Sequence, residues 1–208
     1  MTDNKKAGTL LICGSLGAAV TMAIHPTGVT PHLNIVSGIA HGLALLSVLM
    51  LLLGSFGLTL VLNNSDRLAV AALTVYAFAA VAVMLAATVS GFIMPNLLNM
   101  MARDTAVGGP PWRIVIAAFF QMNQAFSKLY SVGGALAICL WSSTGLRQNQ
   151  AKTISTYGLV SAPLVALLIL VGHIRLDIHG MAAVMLSQVI WFVLMGAWLN
   201  TQHRTAGK

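Results

Sequence analysis

Apolar and polar positions along this chain fall into long blocks. Six apolar runs, at about residues 8–24, 36–62, 68–94, 113–141, 154–172 and 180–199, are separated by short polar breaks. A helix needs about 20 mainly apolar residues to cross a hydrocarbon core of roughly 30 Å. The pattern therefore predicts an all-α integral membrane bundle of six transmembrane helices, with residues 1–208 forming one polytopic domain.

The breaks have their own chemistry. The first run ends at His25-Pro26-Thr27-Gly28, and Asn63-Asn64-Ser65-Asp66-Arg67 makes a tight polar turn after the second. The second run, read from Leu33 to Leu62, is long for a perpendicular span, so its first turns are expected in the interface or the helix is tilted. Pro95 is expected to stop the third helix, leaving residues 96–112 as the longest connection and a candidate lid, with Gly108-Gly109-Pro110-Pro111-Trp112 at its end. Pro163 is expected to bend the fifth helix, because its missing N–H leaves a carbonyl unpaired. The first run has the charged start of a signal peptide, but it is long for that role and no small-x-small site precedes His25, so it is read as a span.

Composition agrees with the pattern: 58% of the 208 residues are hydrophobic and 7% are charged. The net charge of +7 comes from residues scattered at segment ends, with no basic run interleaved with aromatics, which points away from nucleic acid. Lys5, Lys6, Arg67, Arg147, Lys152, Arg204 and Lys208 collect at one side of a six-span topology, against Arg103, Arg113 and Arg175 at the other. By the positive-inside rule both termini are expected in the cytoplasm, with residues 25–33, 95–112 and 173–179 outside, in a bacterial inner membrane on the periplasmic face. Cys13 and Cys139 fall within predicted spans as small apolar side chains, and no disulfide is expected.

Histidines mark the outer end. The turns bounded by His25 and His32 and by His173 and His179, with His41 a little way into the second helix, predict imidazoles gathered at one membrane face. His25, His41, His173, Asp177 and His179 are the candidate metal ligands, for zinc or another transition metal, with haem b a lesser alternative. Neither turn has a short metal-signature spacing, and histidines also suit a water–lipid boundary. Ser37 lies one turn before His41, and Gly38 and Gly42 form a small-xxx-small pair expected to let another helix approach closely.

Gln121, Gln124, Lys128 and Ser131 recur at helical spacing on the fourth segment and predict a polar stripe through the membrane's middle. A lysine there is expected to face the bundle interior or a solute path. The chain has no Glu, and Asp3, Asp66, Asp104 and Asp177 all lie in the tail or at segment ends. Without an intramembrane carboxylate, carboxylate-based cation coupling is disfavoured and Lys128 favours an anionic ligand. Lys128, Gln121, Gln124, Gln188 and His41 are thus the candidate ligand-binding residues. Ser90-Gly91 superficially resembles the serine site of an intramembrane protease, though a Ser-Gly pair near a helix end is more often packing.

The expected function is a multi-pass membrane protein with an outward-facing polar and histidine pocket that binds or moves a small polar or anionic solute. A metal- or haem-dependent membrane enzyme or redox protein, and a structural or assembly subunit, are the alternatives. The lipid bilayer is the implied partner, and a homo-oligomer is compatible with the pattern. The paired histidines of the first and last hairpins leave an internal repeat open.

Overall fold

The computed structural model describes residues 3–25, 34–62, 67–103 and 110–202. Among them the regular structure is helical: α1 (Asp3–Ala23), α2 (Asn34–Leu62), α3 (Arg67–Thr88), a π turn (Val89–Ile93), α4 (Met94–Arg103), α5 (Pro110–Arg147), α6 (Lys152–Leu170) and α7 (Ile178–Thr201). Six helical stretches are long and apolar enough to cross a membrane, with α3, the π turn and α4 counting as one.

Consecutive helices run antiparallel around a ring. α1 packs on α2 and α7, α2 on α3, α3 on α5 and α5 on α6, while α7 closes the ring against α1, α6 and α5. Small residues bring these helices together, as expected where dispersion rather than water exclusion drives association. A β-carbon at Gly14 would stand 2.9 Å from the Ser47 carbonyl oxygen, and one at Gly54 would stand 2.8 Å from the Leu11 side chain. Gly38 and Gly42 correct the small-xxx-small expectation, since a β-carbon at either would meet nothing within 4 Å. Their face of α2 is the outer one, shared with exposed Ile35, Ile39 and Leu46.

The outer surface is apolar, unlike that of a water-soluble bundle, and the largely apolar core also holds polar side chains. Leu53, Phe78, Leu129 and Leu167 are exposed, whereas Ser15, Ser55, Thr59, Ser142 and Gln188 are buried. Lipid solvates apolar side chains outside, and polar groups must find partners within. An aromatic layer crosses the core, with Trp141 stacked on Trp191 at 6.0 Å and Tyr76 packed on Phe192 at 5.3 Å. Its two indoles are anchored: Trp141 Nε1 donates to Thr59 Oγ1 at 3.0 Å and Trp191 Nε1 to Ser142 Oγ at 3.1 Å.

Three boundaries differ from expectation. Pro95 does not stop the third helix, because the π turn just before it changes the hydrogen-bond step. Met94 N–H bonds back to the Val89 carbonyl, five residues away, and the wider turn admits the ring. Most of the predicted 96–112 connection is consequently helical, in α4 and the start of α5. α5 itself has 38 residues, about 57 Å at 1.5 Å per residue, well beyond one hydrocarbon thickness. α6 runs through Pro163 to Leu170, and Gly172 just past its cap, with a positive φ of 79°, closes a Schellman turn in which Gly172 N bonds to Ile169 O and His173 N to Leu168 O. Both cysteines are free thiols, and Cys13 lies on the exposed face of α1 rather than inside.

Candidate functional site

The antiparallel ring places the end of α1, the start of α2, the π turn, the first half of α5 and the α6–α7 turn at one end of the bundle. His25 follows the last turn of α1, and its ring meets that of His41 edge-on, with centroids 5.0 Å apart and planes at 66°. His41 is 4% exposed. Its Nδ1 lies 2.7 Å from the Ser37 carbonyl oxygen one turn earlier, with Ser37 Oγ at 3.4 Å from the same nitrogen.

That contact assigns the tautomer. A carbonyl oxygen only accepts, so Nδ1 is a protonated nitrogen, and in the neutral ring Nε2 then carries the lone pair. Nε2 can therefore accept a hydrogen bond or ligate a metal, and a carbonyl holding the other nitrogen is the usual way such a histidine is oriented.

Position 91 completes the packing. A β-carbon on Gly91 of the π turn would overlap the His41 ring, so glycine is what allows the histidine to lie against α3. The next residue back, Ser90, has Ala86 O and Asn123 Oδ1 as the acceptors of its hydroxyl, each at 3.0 Å. Among the described residues these acceptors of Ser90 are a carbonyl and an amide oxygen, not a histidine, which does not support the superficial protease pattern at Ser90-Gly91. One residue further along α5, Gln124 Nε2 donates to the Leu176 carbonyl at 3.1 Å, tying α5 to the α6–α7 turn.

The candidate metal ligands are divided. His25 and His41 are in contact, while His173, Asp177 and His179 belong to the α6–α7 turn and the start of α7, all three exposed. Asp177 is the N-cap of α7, accepting from Gly180 N at 2.9 Å, which satisfies an end donor of that helix. Among the described residues no three His, Cys, Asp or Glu side chains come together where they could hold a metal ion. His32 lies outside the described residues.

The polar stripe of α5 is split by its position on the helix. The inward face is centred on Ser127, Tyr130, Ser131 and Gly134, so Gln124 and Ser131 border the interior whereas Gln121 and Lys128 are exposed. Lys128 therefore does not form the floor of an internal pocket. It lies about one turn from Asn123 and Gln124, midway along α5 between Pro110 and Arg147. Gln188 is deeply buried, with Nε2 directed at the Ser131 carbonyl at 3.4 Å.

Sequence reasoning missed Asn123, because the stripe was drawn through its neighbours, and it missed the π turn. A proline inside an otherwise continuous apolar helix was the available signal for the latter. No family model, curated protein or solved structure matches this chain.

Proposed function

We propose that this chain is a multi-pass membrane protein that binds or moves a small polar or anionic solute at the end of the bundle carrying His25 and His41. The observation that carries this reading is the buried His41, a polar ring held by the Ser37 carbonyl and seated on Gly91 at an interior position. Ser90 and Asn123 add a hydroxyl and an amide in the adjoining helices. Arg113 and Lys128 on α5 and Arg175 in the α6–α7 turn outnumber the one carboxylate of that turn, Asp177, a balance that supports an anion over a cation. In this reading the lipid bilayer covers the apolar outer surface, and the basic residues at the opposite end support cytoplasmic termini by the positive-inside rule, as in a bacterial inner membrane.

The test is calorimetric titration of the protein in lipid nanodiscs with phosphate, acetate and Zn²⁺, repeated on His41→Asn. Binding of either anion that His41→Asn abolishes supports the reading. Binding that survives the substitution removes His41 from the site.

A metal-binding reading has one observation in its favour, since the pairing of His25 with a carbonyl-oriented His41 supplies two neighbouring imidazoles. It predicts Zn²⁺ binding lost in both His25→Asn and His41→Asn, with no response to the anions.

A further inference from the structure

Two cations stand at the C-terminal end of α6, on the outer surface and independent of the solute site at His41. Three contacts fix the register of α5 against α6 and the turn that follows. Gly158 of α6 lies against Ser142 of α5, and Gly145 of α5 against Ser155 of α6. Past the end of α6, Gln124 Nε2 donates to the Leu176 carbonyl at 3.1 Å in the same antiparallel register. Lys128 lies between these contacts. It is fourteen residues before Ser142, as Gly172 is fourteen after Gly158, so the lysine is level with the turn that ends α6.

Lys128 continues the stripe of α5 that packs on α6. Ala135 and Ser142 follow it at seven-residue steps, and both are buried. Lys128 is exposed because α6 has stopped at its level, and a β-carbon at Gly172 would meet nothing within 4 Å. The end of α6 does not need the ammonium as a cap. The carbonyls of Leu167, Leu168 and Ile169 already accept from backbone N–H groups of Val171, Gly172, His173 and Ile174.

Arg175 is the second cation. It precedes Leu176, whose carbonyl holds Gln124, and Gln124 and Lys128 are neighbours one turn apart on the helix surface. Both cations are exposed and neither is in an ion pair, since the one ion pair among the described residues joins Lys6 to Asp3. Exposed His173 is in the same turn, and Asp177, its one carboxylate, accepts from Gly180 N.

Depth decides what the two cations meet. α6 has 19 residues, about 28 Å, close to one hydrocarbon thickness, so its ends mark the two edges of the apolar layer. Lys128 is level with one of those edges, where headgroup phosphates lie. On the hydrocarbon side, Leu164, Leu167 and Leu170 of α6 and Leu136 of α5 are exposed and available to acyl chains. An outer-surface position flanked by leucines favours an anion that carries an apolar tail over a free one. Ammonium and guanidinium groups both make charge-assisted hydrogen bonds to phosphate. We propose that Lys128 and Arg175 together bind the headgroup phosphate of an acidic phospholipid.

The test is photocrosslinking in phosphatidylcholine nanodiscs holding a trace of phosphatidylglycerol with a diazirine in its headgroup, mapped by mass spectrometry on the full chain. Labelling within residues 124–132 and 168–177 is expected to be several-fold above that from a phosphatidylcholine probe bearing the same diazirine. Lys128→Gln combined with Arg175→Gln, checked for unchanged thermal unfolding, should bring it down to the phosphatidylcholine level. Lys152→Gln, at the opposite end of α6, and an excess of inorganic phosphate should each leave it unchanged. Equal labelling by the two probes overturns the proposal without recourse to any variant. Wild-type labelling in the folded double variant also overturns it, as does an equal loss in Lys152→Gln. Displacement by inorganic phosphate would mean that the two cations take a free anion, and overturns the assignment to lipid.

Discussion

Gly91 and His41 are in contact because position 91 has no side chain: a β-carbon there would overlap the imidazole. Gly91→Ala must displace either the ring or the π turn. An overpacked site of this kind costs about 1–3 kcal/mol. Gly42→Ala is the matched control, since nothing lies within 4 Å of its β-carbon, and it is expected to be neutral or to stabilise by up to about 1 kcal/mol through helix propensity. Thermal unfolding of both variants in nanodiscs checks the contrast, and equal melting temperatures would contradict the contact.

Asp177 separates a capping role from a ligand role. Its carboxylate accepts from Gly180 N at 2.9 Å, and asparagine caps a helix as well as aspartate does. Asp177→Asn should therefore match wild type in stability, while Asp177→Ala loses about 0.5–2 kcal/mol. A marked loss in Asp177→Asn would show that the charge itself matters.

Thr59 holds the Trp141 indole in the aromatic layer at 3.0 Å, with both residues buried. Thr59→Val keeps the shape but leaves the indole N–H unpaired, at about 1–3 kcal/mol. Adding Trp141→Phe removes the unpaired donor, so the double variant should lose less than the sum of the two single changes. Strict additivity in chemical denaturation would mean that the hydrogen bond contributes nothing.

Lys128 is exposed midway along α5. Lys128→Met is expected to change stability by no more than about 0.5 kcal/mol, as for surface substitutions generally. A loss of several kcal/mol, read as the melting temperature in nanodiscs, would instead place the lysine in a structural contact.

The architecture was legible in the chain because period and length carry it: each of the six apolar runs corresponds to a membrane-length helix. What escaped was set by neighbours rather than by local pattern. Gly38 and Gly42 have the spacing of a helix contact but face outward, while the close approaches occur at Gly14 and Gly54, which nothing local distinguishes. Pro95 looked like a stop, and a one-residue widening of the helix before it absorbed the ring. The stripe through Gln124 and Lys128 follows helical spacing, but a small rotation of α5 decides which member faces in, and Lys128 faces out. The histidines were found from their positions at segment ends. The pairing of His25 with His41, and the separation of both from Asp177, required the packing of α1 on α2.

The site account stands on the state of His41, and nitrogen-15 NMR of histidine-labelled protein in bilayers measures it directly. The account predicts that His41 carries its proton on Nδ1, held by the Ser37 carbonyl. It also predicts that the Nε2 resonances of His41 and His25 shift together when a binding solute is added. A His41 protonated on Nε2, with neither ring responding to phosphate, acetate or Zn²⁺, would contradict it.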